Sequence, residues 1–276
     1  MGITFAPDNT LYQLSLVLLA GIVGGELFSK IGLPKVTGWI TTGILIRGLA
    51  SHHSPYTGLT AESVANFRPY ISFVLGYIAF TVGAALHFAS LRNSGKRLGL
   101  LLLGEAVLTP SIVATAMFFI GGWIATDQVS LRASMLLAAI AIAGAPGTTV
   151  LVVQEARARG ILTRTLLAAV ALIDMVAVAV FVFASSCAAA DPSLTGWQAA
   201  WPVAIASVAR QFSFALVAGA VSALVALGLT RTLVSPAFLG PTMVAVILGA
   251  WGGAAGMGAS GILACTLAGI IVTQIR

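Results

Sequence analysis

Charge is scarce in this sequence. Asp, Glu, Lys and Arg make up only 8% of its 276 residues, where a soluble domain carries roughly 25%. With 59% hydrophobic residues and a mean hydropathy of +1.03, the chain reads as an integral membrane protein. Cysteine is nearly absent. Cys187 and Cys265 both fall in or beside apolar runs, which excludes a disulfide framework or a metal site built on cysteine. The three histidines, His52, His53 and His87, have no neighbouring Cys or third partner, so no resident metal or cofactor is expected. The net charge of +6 comes without a basic cluster interleaved with aromatics, so nucleic acid is not an expected partner. No Gly-rich loop follows a strand, and no nucleophile lies beside a base; an enzyme is not expected. Met1 to Thr10 has no basic n-region, so no cleavable signal is expected.

What the chain has is long apolar runs. Judged against the ~20 residues needed to cross a bilayer, about nine spans are expected: Leu11–Phe28, Val36–Ala50, Tyr70–Ser90, Leu98–Ile120, Leu131–Val153, Thr163–Ser186, Val203–Leu229, Ala237–Ala255 and Ala259–Ile275. The fold class is therefore an all-α polytopic helical bundle forming a single transmembrane domain, residues 1–276. Pro110 predicts a kink in span four. Ser51 to Pro69 is expected to be a surface loop.

The basic residues alternate with the spans. Lys30, Lys35, Arg92, Lys96, Arg97, Arg157, Arg159, Arg164, Arg231 and Arg276 fall on one side. Arg47, Arg68, Arg132 and Arg210 fall on the other, with Asp8, Glu62, Asp127 and Asp191. The positive-inside rule then places the N-terminus outside and the odd-numbered loops in the cytoplasm. Glycines cluster in spans one and two (Gly21, Gly24, Gly25, Gly38, Gly43) and around Gly252–Gly261. Such stripes let helices approach closely, within one subunit or across a homodimer face.

One stretch organises the rest. Span five breaks at Gly144-Ala145-Pro146-Gly147, followed by Thr148 and Thr149, and span six carries a lone charge, Asp174, near its middle. Backbone freed at membrane depth must line a cavity or be buried in protein. A carboxylate at that depth is a functional hypothesis by default. Together they predict an ion site of Asp174, Pro146, Gly147, Thr148 and Thr149, since a hard monovalent cation takes oxygen ligands. The alternative is a structural pair between Asp174 and a Lys or Arg of another span. Glu105, about seven residues into span four, lines an ion funnel or pairs with Lys96 or Arg97. Glu26 with Lys30 at i+4 reads as an ordinary helix pair. Glu155 reads as part of a charge cluster with Arg157 and Arg159.

Four stretches resemble the monovalent cation:proton antiporters, the sodium/hydrogen exchanger superfamily. They are Ile31-Gly32-Leu33-Pro34-Lys35-Val36-Thr37-Gly38-Trp39 with Thr42-Gly43-Ile44-Leu45; Phe80-Thr81-Val82-Gly83; Ile142 to Val150; and Arg157 to Leu166 leading to Asp174. The resemblance runs the whole length. It implies an inverted-repeat fold, two crossing broken helices and elevator-like exchange of Na⁺ or K⁺ for H⁺, with membrane lipid as the surroundings. It puts Asp174 in the place of the ion- and proton-binding aspartate and Pro146 in that of the proline of the unwound segment. Residues 11–186 correspond to a first six-helix repeat, 203–229 to a linker helix and 237–275 to the start of a second repeat. Ile173 stands where the family often has Asn or Asp, and Gly144 and Ala145 stand where it has Thr and Ser or Asp. Family members have more spans than nine, so a C-terminal continuation of roughly four spans is an expectation from the resemblance. A non-transporting scaffold or sensor of the same fold, or an organic-anion transporter of related fold, is the alternative reading.

Overall fold

The computed structural model describes residues 9–57, 64–86, 95–124, 131–189, 192–232 and 239–275. Ten helices account for almost all of them: α1 Thr10–Lys30, α2 Lys35–Thr57, α3 Arg68–Ala85, α4 Gly95–Ile124, α5 Leu131–Ile140, α6 Pro146–Glu155, α7 Ile161–Ala189, α8 Pro192–Thr232, α9 Leu239–Gly256 and α10 Gly261–Ile275. Among the described residues there is no strand. Five helical stretches there are long and apolar enough to cross a membrane, within α1, α4, α7, α8 and α9; α10 is apolar but shorter. His87 and Arg92 lie outside the described residues.

Two expectations change at this level. Ser51–Thr57, read as loop, continues α2. α8 is 41 residues long and runs through Pro202, well beyond the span its hydropathy suggested. Pro110 lies inside the continuous helix α4, which is compatible with the expected kink.

The helices fall into two compact units. The first comprises residues 1–74 and 150–158. Asn9 starts it by capping α1: its side-chain oxygen accepts from the N–H of Leu11 at 2.9 Å, satisfying one of the orphan donors at the helix start. α1 ends in a Schellman turn. The Leu33 N–H bonds the Phe28 carbonyl and the Gly32 N–H bonds that of Ser29, each at 3.1 Å. Gly32 at φ +80° takes the left-handed position. The turn sends α2 back along α1. The crossing is backbone on backbone: a Cβ on Gly38 would sit 2.5 Å from the Gly24 carbonyl oxygen.

The second unit comprises residues 75–149 and 159–276. Its centre is α10, where Leu263, Ala264, Cys265 and Ala268 are wholly buried. α10 meets α3 as closely as α1 meets α2, since a Cβ on Gly269 would lie 2.2 Å from the Phe80 carbonyl oxygen. The Thr273 hydroxyl ties the same two helices by donating to the Ala84 carbonyl at 3.0 Å.

Candidate ion site

The span expected to break is two helices, α5 and α6, joined by Ala141–Ala145. Its chemistry explains the gap. Pro146 has no N–H, and its ring disfavours helical backbone in the residue before it; Gly144 adds no helix preference of its own. Pro146 then serves α6 as its first residue, where the missing donor costs nothing. α6 starts from Ala145, whose carbonyl accepts the Thr149 N–H at 3.0 Å and the Thr148 hydroxyl at 2.9 Å. On the other side, Ala141 N–H still bonds the Leu137 carbonyl and Ala143 N–H that of Ile140, both at 3.0 Å. Among the described residues nothing donates to the carbonyls of Ala141, Ile142, Ala143 or Gly144. Four backbone oxygens in this gap thus accept from no described residue.

α7 supplies the carboxylate. Asp174 is half-buried, and the polar group facing it is the Gly144 backbone N–H, in position to donate a hydrogen bond. The preceding turn of α7 holds the two segments together. A Cβ on Gly144 would lie 3.0 Å from Ile173 Cγ2 and 3.2 Å from Val170 Cγ1. Ile142 and Ile173 are 2% and 6% exposed and cluster with Ala177, flanked by Leu102 and Val176. Burying such side chains stabilises by about 1.5–3 kcal/mol each, so the apolar pair fixes the gap against α7 and leaves Asp174 one residue away, facing the Gly144 N–H. A side chain at 144 would crowd Ile173 and Val170, and Ile173 is engaged in packing against Ile142.

The other predicted residues are placed as follows. Gly147 approaches Ile78 of α3, where a Cβ would meet Cγ2 at 3.3 Å. Thr148 is exposed and Thr149 half-buried; the Thr148 hydroxyl donates to the Ala145 carbonyl, which leaves its oxygen lone pairs available. Glu105 is exposed in an open hollow of about 630 Å³ lined by Leu101, Gly104, Leu108 and Thr109, all from α4. The structure thus sets the Gly144 N–H against Asp174, with Pro146 and the threonines at the start of α6.

A second polar cluster was read differently from the sequence. Glu26 pairs with Lys35 and not with Lys30, because the Gly32 turn carries Lys35 back over the end of α1. Glu155 reaches the Lys35 backbone N–H with both carboxylate oxygens at 3.4 Å. The Glu26 carboxylate holds the Lys35 ammonium above the usual lysine range. No periodicity links residues 120 positions apart, so nothing in the sequence signalled this contact.

Among the described residues, five apolar helices of membrane-crossing length make this an integral membrane protein, and two ten-residue helices, α5 and α6, meet at a gap beside one of them, α7. Residues 14–276 match the sodium/hydrogen exchanger family, transmembrane domain, and the chain belongs to that family. Membership carries cation:proton antiport as the general activity. No curated protein matches the chain.

Proposed function

We propose that the chain exchanges Na⁺ or K⁺ for protons by elevator-like alternating access, with Asp174 as the carboxylate that cation and proton occupy in turn. The observation that carries this is the pairing of Asp174 with Gly144 in the Ala141–Ala145 gap, where four carbonyl oxygens accept from no described residue. A cation beside Asp174 would find one charge and several oxygen dipoles at one place. A proton would neutralise the same carboxylate, so the two compete. Thr149 stands near enough in sequence to add an oxygen, and Glu105 would line an approach along α4. No covalent step is involved, so the reading is a transporter and not an enzyme.

The same reading treats residues 11–186 as a first repeat, 203–229 as a linker helix and 237–275 as the start of a second. It puts the N-terminus outside. The meeting of Lys35 and Glu155 supports the sidedness, because it joins the loops after spans one and five, both assigned to the cytoplasm. A homodimer would use α1 or α2 faces left open at Gly21 and Gly43, since Gly24, Gly25 and Gly38 are taken up between α1 and α2.

The test is a vesicle assay with a pH-sensitive dye, adding Li⁺, Na⁺ and K⁺ in turn. Wild type should dissipate a preset pH gradient on adding its cation, and Asp174→Asn should not. If the Asn variant responds as fast as wild type, Asp174 is not the exchanged carboxylate. A folded wild type silent to all three cations would favour the second reading, a non-transporting module, which the apolar environment of Ile173 also suits.

A further inference from the structure

We infer that Glu26, Lys35 and Glu155 form a releasable latch holding the far end of α6 on the first turn of α2. The inference rests on the alternating-access reading, because a latch has a role only if the broken span moves.

Lys35 is where three segments meet. Its ammonium binds Glu26 near the end of α1. Its backbone N–H is the first donor of α2, since Pro34 has none. That orphan donor would otherwise turn to water, and it faces both oxygens of Glu155, the last residue of α6. The Glu155 charge adds further attraction to the Lys35 ammonium. Lys30 contributes a weaker attraction to Glu26, and Arg157 and Arg159 follow directly after α6.

The two joints within this unit differ in kind. Between α1 and α2, backbone touches backbone at Gly24 and Gly38; separating them would open a void. Between α2 and α6, the named contacts are the two from Glu155, exposed and, at 3.4 Å, beyond the usual range for an N–H to oxygen bond. Water can replace them at little cost. The Lys35–Glu26 pair lies on the α1 side and holds the Lys35 ammonium there; with side chains 36% and 56% exposed, it too is a weak tie. Such a contact suits repeated release. α6 is a ten-residue rod of about 15 Å, so a displacement of its Pro146 end at the ion gap is carried to Glu155. The latch therefore reads, at one end of α6, what happens at the other.

The test places Glu155→Cys with Lys35→Cys in a background of Cys187→Ala and Cys265→Ala. A glutamate spans more than a disulfide tolerates, so a short bis-methanethiosulfonate bridges the pair and a reductant reopens it. The bridge should form in membranes, stop cation-driven proton movement, and release it again on reduction; a long flexible spacer should leave exchange running. Each single-cysteine protein treated with the same reagent controls for thiol damage. Failure to bridge would show that the contact does not exist. Full exchange with the short bridge closed would show a permanent strut and overturn the latch. If the unbridged protein shows no exchange, that failure belongs to the transport reading. The bridging rate in Na⁺ or K⁺ against choline then decides: a cation-dependent rate supports release, and an unchanged rate sinks it.

Discussion

The Gly144 backbone N–H faces the Asp174 carboxylate, and the absence of a side chain at 144 is what allows it. A Cβ there meets Ile173 Cγ2 at 3.0 Å and Val170 Cγ1 at 3.2 Å. Gly144→Thr, the residue type the family pattern has at this place, should therefore destabilise the protein by about 1–3 kcal/mol, the usual cost of overpacking a filled core. Combined with Ile173→Ala, the loss should be smaller than the sum of the two single losses, because the second change vacates the space the first needs. Melting of the detergent-solubilised variants reads both. Additive losses would show that 144 and 173 do not share that space.

The α1–α2 crossing makes a contrast within one helix. Gly38→Ala puts a methyl 2.5 Å from the Gly24 carbonyl oxygen and 2.9 Å from Gly25 Cα, backbone that has no rotamer to change. It should cost about 3 kcal/mol. Gly43→Ala meets nothing within 4 Å and should stabilise by about 0.5–1 kcal/mol through helix preference alone. Equal melting temperatures for the two variants would contradict the crossing.

Arg157 occupies left-handed backbone, φ 49°, at the turn that ends α6, where Ala158 N–H bonds the Val153 carbonyl at 3.1 Å. Left-handed backbone costs a side-chain-bearing residue about 1–2 kcal/mol, and glycine gives part of that back in unfolded-state entropy. Arg157→Gly should then stabilise by roughly 0.5–1 kcal/mol, and Arg157→Val should destabilise. Opposite signs for the two are the expected result in chemical or thermal unfolding.

Sidedness is open to a direct measurement. With Cys187 and Cys265 replaced by alanine, single cysteines at Ala158 and Ala65, both exposed, should react with an impermeant maleimide from opposite faces of the membrane, Ala158→Cys from the cytoplasm. Reaction from one face only would overturn the positive-inside assignment of the loops.

The break and its carboxylate were legible because their causes are local. Pro146 and Gly144 act on their own turn, and Asp174 is conspicuous for being charged where nothing nearby is. The rest depended on groups that meet only after folding. Lys30 stands four residues from Glu26, the right spacing for a helix pair, yet the Gly32 turn delivers Lys35 instead. Glu155 sits among arginines in the sequence and reaches an amide in another helix. Helix ends were misjudged for another reason. Hydropathy marks where a chain prefers lipid, whereas α2 and α8 continue into polar residues whose backbone still profits from helical bonding.

Cys265 is 0% exposed within α10, and Cys187 is 7% exposed near the end of α7. Neither thiol is open to a bulky reagent while the helices stay packed. A fluorophore that lights up on meeting a thiol would stay dark on the native protein and brighten as α10 leaves its neighbours. The wild-type chain thus carries its own melting indicator. That signal depends on how firmly the innermost helix is held, and it reads the stability of each substitution above with no added tag.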